Sequence, residues 1–231
     1  MTQVPLPLVL GKHSRFETFV EGRNSGGIKH LHAIGSGRIS CVVWAWGRVG
    51  SGKSHLLQAL CARASWARAM YLPLREAWGG GCDLLQGLGE LDILALDDVD
   101  AVSGSRARDE ALFDLYNRLR ENNGSLVVPS RQAPAGTMFS LPDLASRATS
   151  AVVYRLRPLN EVQLLQALKV QANSRGLDLS DSAARYLLSM VSRDMGVICR
   201  WLDDLDTAAL IAKRRVTIPF ISQVLSARLG E

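Results

Sequence analysis

Short apolar runs alternate with stretches of helical spacing through the first two-thirds of the chain. Residues 41–46 form an apolar run rich in β-branched and aromatic side chains that ends at Gly47. Over residues 55–67, Leu56, Leu57, Leu60 and Ala64 recur at helical spacing. Residues 69–72 and 93–96 read as a second and a third strand, and 125–128 as a fourth that ends at Pro129. Before the fourth, residues 109–121 form an amphipathic helix with Leu112, Phe113, Tyr116 and Leu119 on one face. Residues 151–156 read as a fifth strand. Strands buried on both faces and separated by helices predict a parallel sheet of the α/β kind, flanked by helices.

The pattern changes at Pro158. Beyond it the spacing predicts helices over 160–174, 181–191, 194–213 and 219–228, with a turn at Gly176. Asp181 follows a serine cap and Pro219 follows a Thr-Ile lead-in, placements that suit helix starts. These helices make a small all-α bundle. The Gly79-Gly80-Gly81 triplet reads as a flexible loop, since no strand leads directly into it and no lysine follows.

Composition narrows the class. At 47% hydrophobic and 21% charged the chain is too apolar for a disordered tail. Its longest uninterrupted apolar run, residues 41–46, falls far short of the ~20 residues that cross a bilayer. The first eight residues carry no basic side chain and place prolines where a signal peptide has its apolar helix. No membrane is expected, and a reducing cytosol is. Cys41, Cys61, Cys82 and Cys199 lie far apart without a CxxC pair, which predicts small apolar core residues rather than a metal site. The net charge of +5 is spread along the chain, and the basic run Lys213-Arg214-Arg215 suits a solvated helix end. Charge alone does not make this a nucleic-acid-binding protein.

The strongest chemical signal is Gly47-Arg48-Val49-Gly50-Ser51-Gly52-Lys53-Ser54, which fits GxxxxGK[ST] between a strand and a helix. Glycines let the backbone curl so that successive N–H groups point at one anion, and the helix that follows adds its unpaired donors. Gly47, Gly50, Ser51, Gly52, Lys53, Ser54 and His55 are therefore the expected contacts of ADP or ATP, with Lys53 at the β/γ-phosphates and Ser54 on Mg²⁺. Downstream, residues 92–98 form an apolar strand that delivers Asp97 and Asp98 to its C-terminal end. Asp97 is expected to hold Mg²⁺, mostly through water, and Asp98 to orient or deprotonate an attacking water. Ser130, at the end of the fourth strand, is the candidate sensor of a γ-phosphate.

With these residues in place the chain resembles the AAA+ ATPases of the DnaA lineage, and among them the Hda-type regulatory inactivators of DnaA. The resemblance rests further on Phe113-Asp114-Leu115-Tyr116-Asn117-Arg118, on residues 141–147, on residues 177–188 and on Thr217-Ile218-Pro219-Phe220. It implies an AAA+ core over residues 13–158, a helical lid over 159–231 and an extended clamp-binding peptide over 1–12. The chain stops where the initiator's DNA-reading domain would begin, so direct recognition of origin sequence is not expected. In Gln3-Val4-Pro5-Leu6-Pro7-Leu8 the prolines remove two N–H donors and favour an extended peptide, which loses less entropy on docking. Gln3, Leu6 and Leu8 are the implied contacts of the DNA polymerase sliding clamp, and DNA would be reached only through that clamp.

The resemblance also casts Arg147 as an arginine finger, reaching across an interface to nucleotide held by a neighbour. The implied function is negative regulation of replication initiation: a nucleotide-bound adaptor on the clamp stimulates hydrolysis of ATP carried by DnaA. A homodimer or higher oligomer is compatible with this. One departure stands out. DnaA relatives open the third lid helix with a sensor arginine; here Gly196 stands at that place, and Arg193 or Arg200 is left to compensate, though both are expected to point elsewhere on a helix. The alternative is a stand-alone oligomeric ATPase or helicase-loader-like protein that hydrolyses its own ATP with Lys53, Asp97 and Asp98.

Overall fold

A computed structural model describes residues 11–229, so Gln3, Leu6 and Leu8 lie outside the described residues. Five strands form one parallel sheet: β1 (Val42–Trp46), β2 (Ala69–Pro73), β3 (Ile93–Asp97), β4 (Ser125–Ser130) and β5 (Val152–Arg155). Their order is β2-β3-β4-β1-β5, which places β1 between the two strands that come last in sequence. Alternation along β1 explains its all-apolar run. Val42 and Trp44 point into one apolar cluster, and Val43 and Ala45 into another on the opposite face.

Helices cover both faces. Helices α1 (Ser25–Gly35) and α2 (Lys53–Arg63) bury Ile28, Leu31, Ile34, Leu56, Leu57 and Leu60 against the Val43 side. On the Trp44 side, the short α3 (Leu74–Ala77) precedes α4 (Arg106–Glu121), which buries Leu112, Leu115 and Leu119, and α5 (Pro142–Thr149), which adds Leu144 and Ala148. Asp109 is the fully buried charge of α4. Its carboxylate accepts from the N–H groups of Gly104 and Ser140 and from the Ser140 hydroxyl, pinning two loops to the helix.

Three details depart from the sequence reading. Strand β5 is an edge strand paired only with β1, and while Tyr154 packs against His30 of α1, Val152 and Val153 are exposed. Helices α1 and α5 lie where no helix was expected. The glycine triplet contributes to a tight 3-10 turn over Trp78–Gly80.

After β5 the chain forms four further helices: α6 (Glu161–Ser174), α7 (Asp181–Met190), α8 (Met195–Ala212) and α9 (Ile218–Leu229). They share a separate apolar cluster that includes Leu168, Leu187, Ile198, Leu202 and Ile221. Their starts are capped: Asn160 and Gln163 exchange side-chain-to-backbone hydrogen bonds of 2.9 and 3.1 Å, and Ser180 accepts from the N–H of Ala183. The joint between sheet and bundle is fastened by buried Asn24, which donates to the carbonyl of Arg157 at 3.0 Å and accepts from its N–H at 2.8 Å. Among the described residues no helix is long and apolar enough to cross a membrane.

Candidate functional site

Where the strands end, the backbone is held in a fixed curl. Trp46 sits level with Ser130 on one side and Arg155 on the other. The next residue, Gly47, donates its N–H to the Ser130 carbonyl at 3.0 Å, and Leu156 donates to Trp46 at 2.7 Å. A side chain at Gly47 would collide with the Leu156 carbonyl, 2.6 Å from its Cβ. Gly50 and Gly52 take φ of 75° and 87°, in the left-handed region that favours glycine. A Cβ on Gly52 would stand 2.6 Å from the Phe19 ring, and one on Gly50 2.5 Å from Asp194 Oδ2. The loop is thus pressed between the N-terminal segment and the first turn of α8.

This loop floors a cavity of about 410 Å³ between the sheet and the helical bundle. From the expected contacts, Gly50, Ser51, Gly52, Lys53, Ser54, His55, Asp97, Asp98 and Ser130 line it. Lys53 Nζ donates to the carbonyls of Gly47 and Arg48 at 2.7 and 2.9 Å. Burial lowers its pKa, with Asp97 opposing that effect. The Ser51 hydroxyl is buried with no hydrogen-bond partner among the described residues. An ammonium, an unpartnered hydroxyl and a loop whose glycines admit close approach fit a chain of phosphates.

Several of the placed residues are already engaged. Asp97 Oδ1 accepts from the N–H of Asp98 at 2.9 Å, and its Oδ2 from the Tyr71 hydroxyl at 3.0 Å. Burial and the Asp97 charge push the Tyr71 phenol well above its usual range, so it acts as a donor. Asp98 has φ of 57°, and its Oδ2 is 3.4 Å from Arg75 Nε. The Ser130 hydroxyl donates to Asp100 Oδ1 at 2.7 Å, while Asp100 Oδ2 accepts from the N–H of Arg131. His55 Nε2 is 2.8 Å from the Arg15 carbonyl, and burial lowers its pKa. Tyr71, Asp100 and Phe19 were missed by sequence reasoning. Only Asp100 left a trace there, as a third carboxylate just beyond the Asp97-Asp98 pair.

Arg147 stands apart. It lies on α5, exposed, with its guanidinium 5.8 Å from the centre of the Tyr116 ring, and it does not line the cavity. The lid wall corrects one expectation. Arg193 does turn away, 3.8 Å from Glu161, but Arg200 lines the cavity beside Gly196. Residues four apart share a helix face, so Arg200 returns to the side that Gly196 occupies.

The fold matches known structures over nearly its whole length. Domain III of the Thermotoga maritima replication initiation protein DnaA superposes with a TM-score of 0.81 at 21% identity, covering 95% of this chain and 98% of that one. AMPPCP-bound DnaA from Aquifex aeolicus gives 0.64 at 22% identity, over 84% of this chain and 66% of that one. The Thermotoga maritima RuvB Holliday junction branch migration motor gives 0.65 at 16%, over 93% and 73%. Identities this low establish the fold: a five-stranded AAA+ core followed by a helical lid. Within that fold, residues 161–225 match the family described as Hda, lid domain. The chain thus has the fold of DnaA domain III and carries an Hda-type lid over residues 161–225.

Proposed function

We propose that this protein is a nucleotide-bound negative regulator of replication initiation, an adaptor that stimulates hydrolysis of DnaA-bound ATP in trans while docked on the DNA polymerase sliding clamp. The observation that carries the reading is the separation of two sites in one chain. Phosphate-loop residues from Gly50 to Ser54 line one cavity, and Arg147 stands exposed outside it. A guanidinium so placed is unsuited to its own nucleotide and suited to a neighbour's.

In its own cavity, the N–H groups of residues 47–52 and the Lys53 ammonium hold the phosphates of ADP or ATP, with His55 beside them. Ser54 and Asp97 would hold Mg²⁺, which would supply positive charge to neutralise the phosphate oxygens. Asp97 keeps its orientation through Tyr71 and the Asp98 N–H, and Ser130 through Asp100. Asp98 orients water, but its contact with Arg75 favours slow turnover in cis. Arg147 presents a planar, permanently charged fork to the transition state on DnaA, a contribution on the order of 10³- to 10⁵-fold in rate. Gln3, Leu6 and Leu8 anchor the chain on the clamp, which brings it to DNA and to the nucleoid of a bacterial cytoplasm. Self-association into a dimer or higher oligomer would use the same exposed finger.

The test is a mixed assay with labelled ATP preloaded on DnaA, together with clamp and DNA. Loss of label should depend on Arg147, and both Arg147→Ala and Arg147→Lys should abolish the stimulation while leaving folding and nucleotide binding intact. Replacing Gln3, Leu6 and Leu8 with alanine should end clamp binding without lowering the melting temperature. The convergence of Asp97, Asp98 and Ser130 on one cavity favours a second reading, a stand-alone ATPase. Label that turns over only when carried by this chain, and stops with Asp98→Asn, would replace the adaptor with it.

A further inference from the structure

We infer that Arg200 supplies the lid's cation to the phosphates of the bound nucleotide, reaching back over Gly196 from one turn further along α8; this rests on the nucleotide reading of the cavity. Helical side chains lean toward the N-terminus of their helix, so the side chain at one position lies over the residue four before it. A Cβ on Gly196 would stand 3.9 Å from Arg200 Nη1 and 3.1 Å from Asp194 Oδ1. Any longer side chain at 196 would compete with the guanidinium for that space. The glycine therefore makes room for an arginine that starts one turn away.

The surrounding charges point the same way. Asp194 commits Oδ1 to the N–H groups of Gly196 and Val197, capping α8. Arg193 sits beside Glu161 outside the cavity. Arg175, the other arginine near this end of the lid, is buried against Asp203 and Gln171. Arg200 has no ion-pair partner among the described residues, and it lines the same cavity as Lys53. A fork of N–H donors with no carboxylate within ion-pair distance suits the distal phosphates of a ligand bound in this cavity. Two cations would then grip the ligand, Lys53 from the core and Arg200 from the lid. Lid position and phosphate occupancy become linked.

Titration calorimetry of the full chain with Mg²⁺ and ADP, ATP or AMP tests this. Arg200→Ala should weaken ADP and ATP binding about tenfold or more, the scale of one charge-assisted hydrogen bond, yet change AMP affinity by less than about twofold. Arg200→Gln, neutral and of similar length, should give the same loss, and Arg193→Ala should leave all three affinities unchanged. Melting temperatures without ligand should not move, since Arg200 is exposed. Binding that needs Lys53 but not Arg200 overturns this inference alone. An equal loss for AMP, ADP and ATP overturns it too, by marking a merely structural role. If the wild-type chain shows no Lys53-dependent binding of any adenine nucleotide, the reading beneath it fails as well.

Discussion

The two walls of the cavity are built by different means. On the core side, the loop from Gly47 to Gly52 is an extension of a buried strand, tied by backbone hydrogen bonds to β4 and to the segment after β5. On the lid side, Asp194, Met195, Gly196 and Arg200 project from one helix terminus. That helix is anchored in an apolar cluster separate from both clusters of the sheet. Polar links between the two units include a bond of 3.0 Å from Gln171 Nε2 to the Thr18 carbonyl and the 3.4 Å approach of His13 to Ser174, while the Asn24–Arg157 pair fixes the segment that leads into the lid. One wall is therefore set by backbone geometry, and the other by where a second unit comes to rest.

This contrast can be broken in stages. The largest expected effect is on the core side: Lys53→Ala should cost about a hundredfold in affinity for ADP, the worth of a buried charge-assisted contact. Calorimetric binding at wild-type strength would show that the core wall does not dominate. At the joint, Asn24→Ala strips two hydrogen-bond partners from the Arg157 backbone and should lower unfolding stability by about 2 kcal/mol in urea titrations. A loss below about 0.5 kcal/mol would mean that the two units are positioned by something other than this clamp.

The smallest effect is a pH dependence. Burial holds His55, and likewise His13, below the usual histidine value. The unfolded chain then binds protons that the folded chain refuses, so stability is complete above about pH 6.5 and declines as the pH falls below it. Melting curves between pH 7.5 and 5.5 should show this decline, made shallower by His55→Gln. His55 belongs to the core wall, whereas His13 lies 3.4 Å from Ser174 of the lid, so the two histidines report on different sides. An unaltered slope in the variant would assign the acid sensitivity elsewhere.

The same contrast explains what the sequence disclosed. The phosphate loop was legible because its chemistry is local: eight consecutive residues carry both the curl and the cation. Strands β1, β3 and β4 were legible because burial on both faces leaves near-continuous apolar runs. Helix α5 was not, since only Leu144 and Ala148 are buried along its eight residues, too few to establish a period. Nor was α1, whose first turn holds Gly26 and Gly27. Tyr71 and Asp100 meet Asp97 and Ser130 only across strands or loops, through pairings that no linear spacing encodes. Arg200 was misread for a simpler reason. One helical turn restores the face, and the glycine below leaves the path open.

The strand order has a consequence for how the protein is made. Strand β1 is among the first elements synthesised, yet both its neighbours come later, and its partner strand begins 84 positions downstream where Cys41 meets Ser125. Pairings so distant in sequence form slowly, because the intervening chain must first be drawn together. Until β4 and β5 arrive, both edges of β1 are open, and Gly47 lacks the backbone hydrogen bond to Ser130 that fixes the start of its loop. A nascent chain released before residue 155 would lack the last strand of the sheet. The cavity is consequently a late product of folding, and a ligand that needs it binds only chains whose central strand has found both neighbours.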